Sequence, residues 1–122
     1  AMGSPFIEYK DGQRGPDELP DDTALAIRGP GGVSVITGCS HAGICNICEY
    51  AKAVTGETSL DRVIGGFHLT RADDRLDRTI AYFKTQGPVR LYPNHCTGLA
   101  ALAAFHHSFG FQRLCTGDCI EF

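Results

Sequence analysis

This sequence has no apolar run long enough to cross a membrane, no basic amphipathic segment and no excess of positive charge. Eleven Lys and Arg residues stand against 14 Asp and Glu residues, for a formal net charge of −3. A nucleic-acid-binding domain is expected to carry a basic surface, and a membrane-surface helix a basic amphipathic face. We therefore expect neither a nucleic acid nor a membrane as a partner. No secretory signal sequence is recognisable either.

The sequence also lacks the pattern of a disulfide scaffold, although it has six cysteines. Cys39 and Cys96 lie in turns that carry histidine, and Cys45, Cys48 and Cys119 lie among apolar residues. A chain of this length can bury its own core and does not need covalent staples. We therefore predict reduced cysteines and a cytoplasmic protein.

Cys45 and Cys48 form a Cys-x-x-Cys pair, which is compatible with a redox motif or half of a zinc site. No second Cys-x-x-Cys follows, and Cys48 falls on the apolar stripe of a predicted helix. Small core residues are the favoured interpretation of both. The same interpretation applies to Cys115 and Cys119, which fall in predicted terminal strands.

The chain divides into three parts. Residues 1–4 resemble a remnant of a cloning vector. Residues 5–22, rich in Gly, Pro and Asp, predict a loop or extended arm, and residues 23–122 predict one domain. Period-2 and buried apolar runs predict strands at residues 24–28, 33–37, 62–66, 89–92, 112–115 and 119–122.

Helix signals lie between these strands. Apolar residues at helical spacing predict three helices, with Gly56, Gly87 and Gly110 after their ends. Pro93 is predicted to close the fourth strand, and Thr97 to cap the third helix. The resulting order is β-β-α-β-α-β-α-β-β, which is typical of an α/β layered sheet.

Three histidines follow the ends of strand-like runs, namely His41, His68 and His95. Because parallel strands end at the same edge of a sheet, these side chains are expected to gather there and could hold a metal ion. Neutral imidazole binds zinc, iron and manganese, and a helix N-terminus favours the neutral form. Each histidine could instead be an ordinary hydrogen-bonded loop residue.

The other two histidines have a plainer interpretation. His106 and His107 lie near the end of the third predicted helix, where a cationic side chain interacts favourably with the helix dipole. They are predicted to have a structural or solvent-facing role. Asp118, in a Thr-Gly-Asp sequence, is predicted to be a turn residue.

The segments around the three histidines resemble a known family. Ile-Thr-Gly-Cys-Ser-His-Ala-Gly-Ile, Val-Ile-Gly-Gly-Phe-His-Leu and Pro-Asn-His-Cys-Thr-Gly, in this order, are similar to the metallo-β-lactamase-fold hydrolases. The branch that includes dihydropterin ribofuranosyl-aminobenzene phosphate synthase is the most similar. The resemblance implies the C-terminal half of an αββα sandwich, with a mixed sheet and helices on one face.

The resemblance also implies roles for individual residues. His41 would ligate the first metal of a two-metal site, His95 the second, and His68 stands where a shared or second-metal ligand is common. Independently of the resemblance, Cys39 and Cys96 lie close to His41 and His95 in the sequence and could be auxiliary ligands. The metal would be zinc, with iron or manganese as alternatives, and a metal-bound hydroxide would attack an ester or phosphoester of a small-molecule substrate.

One hallmark of the family is absent from this sequence. No His-x-His-x-Asp-His motif occurs, although the family places one in the N-terminal half of the fold. The chain could be a fragment of a longer enzyme, a natural half that joins a separate N-terminal half, or a half that pairs with its own copy. We accordingly expect self-association or a missing N-terminal partner. The functional alternatives are part of a hydrolase, a metal-binding or self-assembling half-domain without activity of its own, and a structural remnant without metal.

Overall fold

The strands of this chain form two separate sheets in a computed structural model that describes residues 7–17, 19–20, 22–111 and 113–122. Strands β1 (Ile7–Lys10) and β2 (Gln13–Pro16) pair antiparallel as a hairpin. This hairpin lies within residues 5–22, where the sequence predicts a loop or extended arm. Both strands are almost entirely exposed, so they show no buried face for a period-2 pattern to reveal.

The main sheet has four strands in the spatial order β3-β4-β5-β6. They are β3 (Ala24–Gly29), β4 (Gly32–Thr37), β5 (Leu60–Gly66) and β6 (Arg90–Asn94). Strands β3 and β4 form the predicted antiparallel hairpin, whereas β4, β5 and β6 run parallel to one another. The sheet is therefore mixed, and its three parallel strands all end at one edge.

Three helices connect and follow the parallel strands. They are α1 (Ile44–Thr55), α2 (Asp74–Thr85) and α3 (Leu99–Phe109). The crossovers through α1 and α2 advance in the same direction along the sheet, so the right-handed rule places both helices on one face. Helix α3 contacts α2 and β6 on that side. The predicted fold class, an α/β half-sandwich with helices on one face, is confirmed.

The hydrophobic core lies between this helical layer and the sheet. Phe67, Phe83 and Phe105 are fully buried, and their ring centroids are 5.4–6.2 Å apart. Burial of one such side chain contributes about 2 kcal/mol relative to its exposed state. Cys48 and Val63 lie in the same cluster, so Cys48 is the core residue that its helical position predicts.

The opposite face of the sheet is apolar but only partly covered. Strand alternation places Leu25, Ile36 and Ile64 on this face, and Leu25 is 62% exposed. The C-terminal segment reaches this face at Arg62, whose guanidinium donates to the Glu121 carbonyl and lies over the Phe122 ring.

Two predictions at the chain's end are wrong. Residues 113–115 and 119–122 form no strand, and residue 112 lies outside the described residues. The Asp118 carboxylate instead accepts the amide of Cys115 at 2.7 Å, which closes a local turn. Cys115 and Cys119 are exposed rather than packed in a core.

Two predicted boundaries also shift. Gly98, not Thr97, is the N-cap of α3, because the Thr97 hydroxyl accepts the Phe67 amide at 3.0 Å instead. Pro93 does not close β6, which continues to Asn94. A proline is tolerated there because β6 is an edge strand and its second side needs no donor. None of the helices in the described ranges combines the length and apolarity needed to span a bilayer.

Candidate metal centre

Three loops leave the sheet side by side at the carboxyl ends of β4, β5 and β6. Gly66 pairs with Asn94 in the register, and the Gly66 amide donates to the Gly38 carbonyl at 2.7 Å. The loops that carry His41, His68 and His95 therefore start from adjacent points, as the strand order in the sequence predicts.

Buried hydroxyls hold these loops together. The Ser40 hydroxyl donates to the Gly66 carbonyl at 2.6 Å and lies 3.1 Å from the Thr37 hydroxyl. Ser40 is fully buried, so it fixes the loop after β4 against the end of β5. Thr97 makes the corresponding link between the loop after β6 and Phe67. Sequence reasoning did not identify Ser40, although it directly precedes His41.

The rings of His41 and His68 are in contact. Their centroids lie 4.6 Å apart and the ring planes are 80° from parallel. Burial lowers the pKa of His68 below its ordinary value, and the charges of His41 and Arg75 lower it further, while Asp22 opposes them. The lowered pKa favours the neutral form of the His68 imidazole, which is the form that can bind a metal.

Asp22, which precedes β3, also contacts the loop that carries His41. Its carboxylate accepts the Ala42 amide, next to His41, at 2.8 Å. Strand β3 runs antiparallel to β4, and Ala24 pairs with Thr37, so the residues just before β3 lie where β4 ends. Sequence reasoning did not assign Asp22 to the site. The antiparallel pairing was the signal that could have placed it at the site.

Cys39, His95 and Cys96 form a second group at this edge. Their ligand atoms all lie within 4.8 Å of one another, and the Cys96 thiol donates to the Cys39 carbonyl at 3.4 Å. Burial raises the pKa of the Cys96 thiol, a hydrogen bond from the His68 backbone lowers it, and the adjacent Cys39 raises it. In the described part of the chain no group this tight contains all three histidines. Ligation of one site by His41, His68 and His95 stays a prediction.

Backbone conformation at this edge is unusual. Ser40, His68 and His95 have φ values of 60°, 47° and 51°, in the left-handed region that non-glycine residues rarely adopt. Such residues cost of order 1 kcal/mol or more each and persist where the surroundings fix them, often at functional sites. Two of the three predicted ligands are thus held in this strained conformation.

An open groove lies beside the site, between β3 and α1. Its volume is about 410 Å³, and its lining is mostly apolar, with Asp22, Thr23 and Asn46 among its polar residues. Tyr50 and Val54 on α1 form the exposed wall of this groove.

The remaining cysteines and histidines lie away from this edge. Cys45 packs against the core beside Cys48, and burial raises the pKa of both thiols. His106 and His107 occupy the last turn of α3 and are exposed, and His106 Nδ1 lies 3.2 Å from the Phe111 carbonyl. All six cysteines are free.

Two curated proteins of Methanocaldococcus jannaschii are similar to this chain. The uncharacterized protein MJ0448 is 45% identical over 98 residues, which are 80% of this chain and 35% of that protein. 7,8-Dihydropterin-6-methyl-4-(beta-D-ribofuranosyl)-aminobenzene-5'-phosphate synthase is 37% identical over 109 residues, which are 87% of this chain and 37% of that protein. The chain thus spans little more than a third of each relative's length. No protein-family model matches the chain.

A solved structure has the same fold. Tm1679, a metal-dependent hydrolase of the β-lactamase superfamily, is 34% identical and superposes with a TM-score of 0.74. The match covers 88% of this chain and 42% of that one. The resemblance inferred from the sequence is therefore confirmed: this chain has a metallo-β-lactamase-type fold and matches part of a metal-dependent hydrolase of that superfamily.

Proposed function

We propose that this chain is the C-terminal half of a metal-dependent hydrolase and contributes His41, His68 and His95 as ligands to its metal site. The observation that carries the proposal is the contact between the His41 and His68 rings at the ends of adjacent parallel strands, with the His95 loop beside them. The similarity to Tm1679, a metal-dependent hydrolase, supports the reaction class.

The donors present fit a first-row transition metal. Imidazole nitrogens suit zinc, iron and manganese, and the lowered pKa of His68 favours its unprotonated, ligating form. Zinc is our first choice. When bound, such a metal supplies a hydroxide nucleophile at neutral pH. The chain's own residues orient the ligands, with Asp22 bonded to the Ala42 amide and Ser40 anchoring the loop after β4.

The substrate proposed for the full protein is a small molecule with an ester or phosphoester bond. Arg75 lies close enough to His68 to affect its pKa, so a positive charge is available for an anionic group of such a substrate. The groove between β3 and α1 offers an apolar surface beside the same edge.

A second candidate function is a metal-binding or self-assembling half-domain without catalytic activity of its own. Two observations favour it. The chain contains no His-x-His-x-Asp-His motif, and Leu25, Ile36 and Ile64 leave an apolar face only partly covered. A second copy or a separate N-terminal half would cover this face and add ligands.

Metal analysis of the chain, purified without chelator, tests both candidates. We expect bound zinc, iron or manganese, in an amount that falls in His41→Ala and His68→Ala and is unchanged in the control His107→Ala, since His107 is exposed on α3. Retention of full metal in the His41→Ala/His68→Ala double variant would contradict the assignment. Hydrolysis of a generic phosphodiester by the isolated chain would favour the first candidate over the second.

A further inference from the structure

We infer that Cys39, Cys96 and His95 form a thiolate-containing subsite for a thiophilic divalent ion such as zinc. The inference rests on the proposed function, since His95 belongs to both assignments. In this subsite the Cys39 and Cys96 thiols are metal ligands, and the ion they hold is distinct from one held by His41 and His68.

The geometry supports a shared ion. The two sulfurs and a ring nitrogen of His95 lie within 4.8 Å of one another. Tetrahedral zinc, with bonds of about 2.3 Å to sulfur and about 2.0 Å to nitrogen, places its ligand atoms roughly 3.5–4 Å apart. Closing the remaining gap needs side-chain shifts of about 1 Å or less, which rotamer adjustment supplies.

The fold creates space for this pair of thiols. Cys39 follows β4 and Cys96 follows β6, so β5 lies between their strands. Strand β5 ends in Gly65 and Gly66, and a Cβ atom on Gly66 would lie only 2.6 Å from the Cys96 sulfur. The absence of a side chain at Gly66 is therefore what lets the two loops meet across the middle strand.

The donor set indicates which ion binds. Two thiolates and one imidazole favour a soft or borderline ion over magnesium or calcium, which prefer oxygen ligands. Three protein ligands leave the fourth tetrahedral position open, as in catalytic rather than structural zinc sites. His95 is exposed and both cysteines are half-buried, so the open position is accessible from solvent.

Cadmium titration followed by ultraviolet absorption tests the subsite. The background is Cys115→Ser/Cys119→Ser, which removes the exposed thiols that could bind cadmium by themselves. We expect a thiolate-to-metal charge-transfer band that saturates at one equivalent. Adding Cys39→Ser or Cys96→Ser should weaken cadmium binding at least about 100-fold, since even loss of an outer partner of a ligand costs 10–100-fold. A band of unchanged intensity in these variants, or no band in the background protein, would overturn the inference.

Two further measurements make the result independent of variant folding and of the histidine assignment. In the unsubstituted protein, cadmium should slow iodoacetamide alkylation of Cys39 and Cys96, mapped by mass spectrometry; equal alkylation with and without cadmium would also overturn the subsite. His41→Asn should keep the charge-transfer band. If that variant binds less zinc than the unsubstituted protein but keeps the band, the thiolate subsite stands, and if the band disappears as well, the two sites are not separate.

Discussion

The His41 ring packs edge-on against the His68 ring, at a centroid distance of 4.6 Å. These residues belong to loops after β4 and β5, and the contact exists because both strands are parallel and end at the same level. Asp22, from the start of the antiparallel strand β3, supports the pair through the Ala42 amide. One edge of the sheet therefore collects groups from three separate parts of the chain.

Removing the Asp22 carboxylate should lower the His68 pKa and weaken metal binding. In Asp22→Asn the charge that raises the pKa of His68 is lost, so that pKa should fall further below its ordinary value. Metal binding should weaken by about 10-fold, as is usual when a supporting partner of a ligand is removed. Histidine titration by NMR on metal-free protein and zinc titration measure the two effects. Asp77→Asn, on the exposed face of α2, should change neither the His68 pKa nor the zinc affinity. Equal changes in this control would mean that the net charge of the protein, rather than the position of Asp22, causes them.

The Ser40 hydroxyl should matter for stability. Ser40→Ala removes the donor to the Gly66 carbonyl in a fully buried position. An unsatisfied buried acceptor costs about 1–3 kcal/mol, so the free energy of unfolding should fall by that amount. Urea denaturation monitored by circular dichroism measures it. Ser59→Ala, which removes an exposed hydroxyl with a long, 3.5 Å hydrogen bond to the Gly31 carbonyl, should cost less than about 0.5 kcal/mol. Equal losses of unfolding free energy in the two variants would mean that the buried Ser40 hydrogen bond does not stabilise the fold more than the exposed one.

Gly66 should tolerate no side chain. In Gly66→Ala the new methyl group would lie 2.6 Å from the Cys96 sulfur and 2.7 Å from the Gly38 carbonyl. We expect a loss of about 1–3 kcal/mol in unfolding free energy from overpacking, together with loss of the cadmium band. Gly38→Ala is the matched control, because a Cβ atom there meets nothing within 4 Å. Wild-type stability and cadmium binding in Gly66→Ala would show that the two loops are not confined by this contact.

Asp61 on β5 should make stability depend on acid pH. Burial alone raises the pKa of this carboxyl, but Arg90, Arg62 and Ser34 together lower it below its ordinary value of 3.8. A carboxyl whose pKa is lower in the folded state contributes stability above the unfolded pKa, and this stability is lost as pH falls through the folded pKa. Asp61→Asn should therefore cost about 1 kcal/mol at pH 7, because Asp61 pairs with two arginines.

The difference in unfolding free energy between wild type and Asp61→Asn should also depend on pH. The stability gap between wild type and Asp61→Asn should shrink as pH drops below about 4, where the carboxyl begins to protonate in the unfolded chain, and should vanish as pH falls through the lower pKa of the folded state. Thermal unfolding at a series of pH values measures this gap, and Glu8→Gln, at an exposed position of β1, serves as control. A gap that stays constant down to pH 2 would contradict the ion-pair explanation.

Cysteine reactivity should follow burial. Cys48 is fully buried, and burial raises its pKa, so its thiol is both inaccessible and protonated. Iodoacetamide should modify exposed Cys115 and Cys119 first and Cys48 only after unfolding, as peptide mass spectrometry can follow. Rapid modification of Cys48 in folded protein would revive a redox role for the Cys45 and Cys48 pair.

The sequence alone predicted most of the framework, because the framework depends on local patterns. Buried strands appear as short apolar runs, and helices as apolar residues at helical spacing with glycine after their ends. The predictions were wrong where no such local pattern exists or where other contacts override it. The exposed β1–β2 hairpin has no buried face, and the alternation at residues 113–122 is overridden by a side-chain turn at Asp118 and by contacts of the terminal residues with Arg62.

The order of strands and helices, together with the motifs around His41, His68 and His95, determined that three histidines would reach one edge of a sheet. That inference needs only the rule that parallel strands end together. The tertiary structure alone decided how they are grouped. Whether His95 lies with the other histidines or with Cys39 and Cys96 depends on ångström-scale loop packing, on the missing side chain of Gly66 and on Asp22 arriving from β3, and these are contacts between residues far apart in the chain.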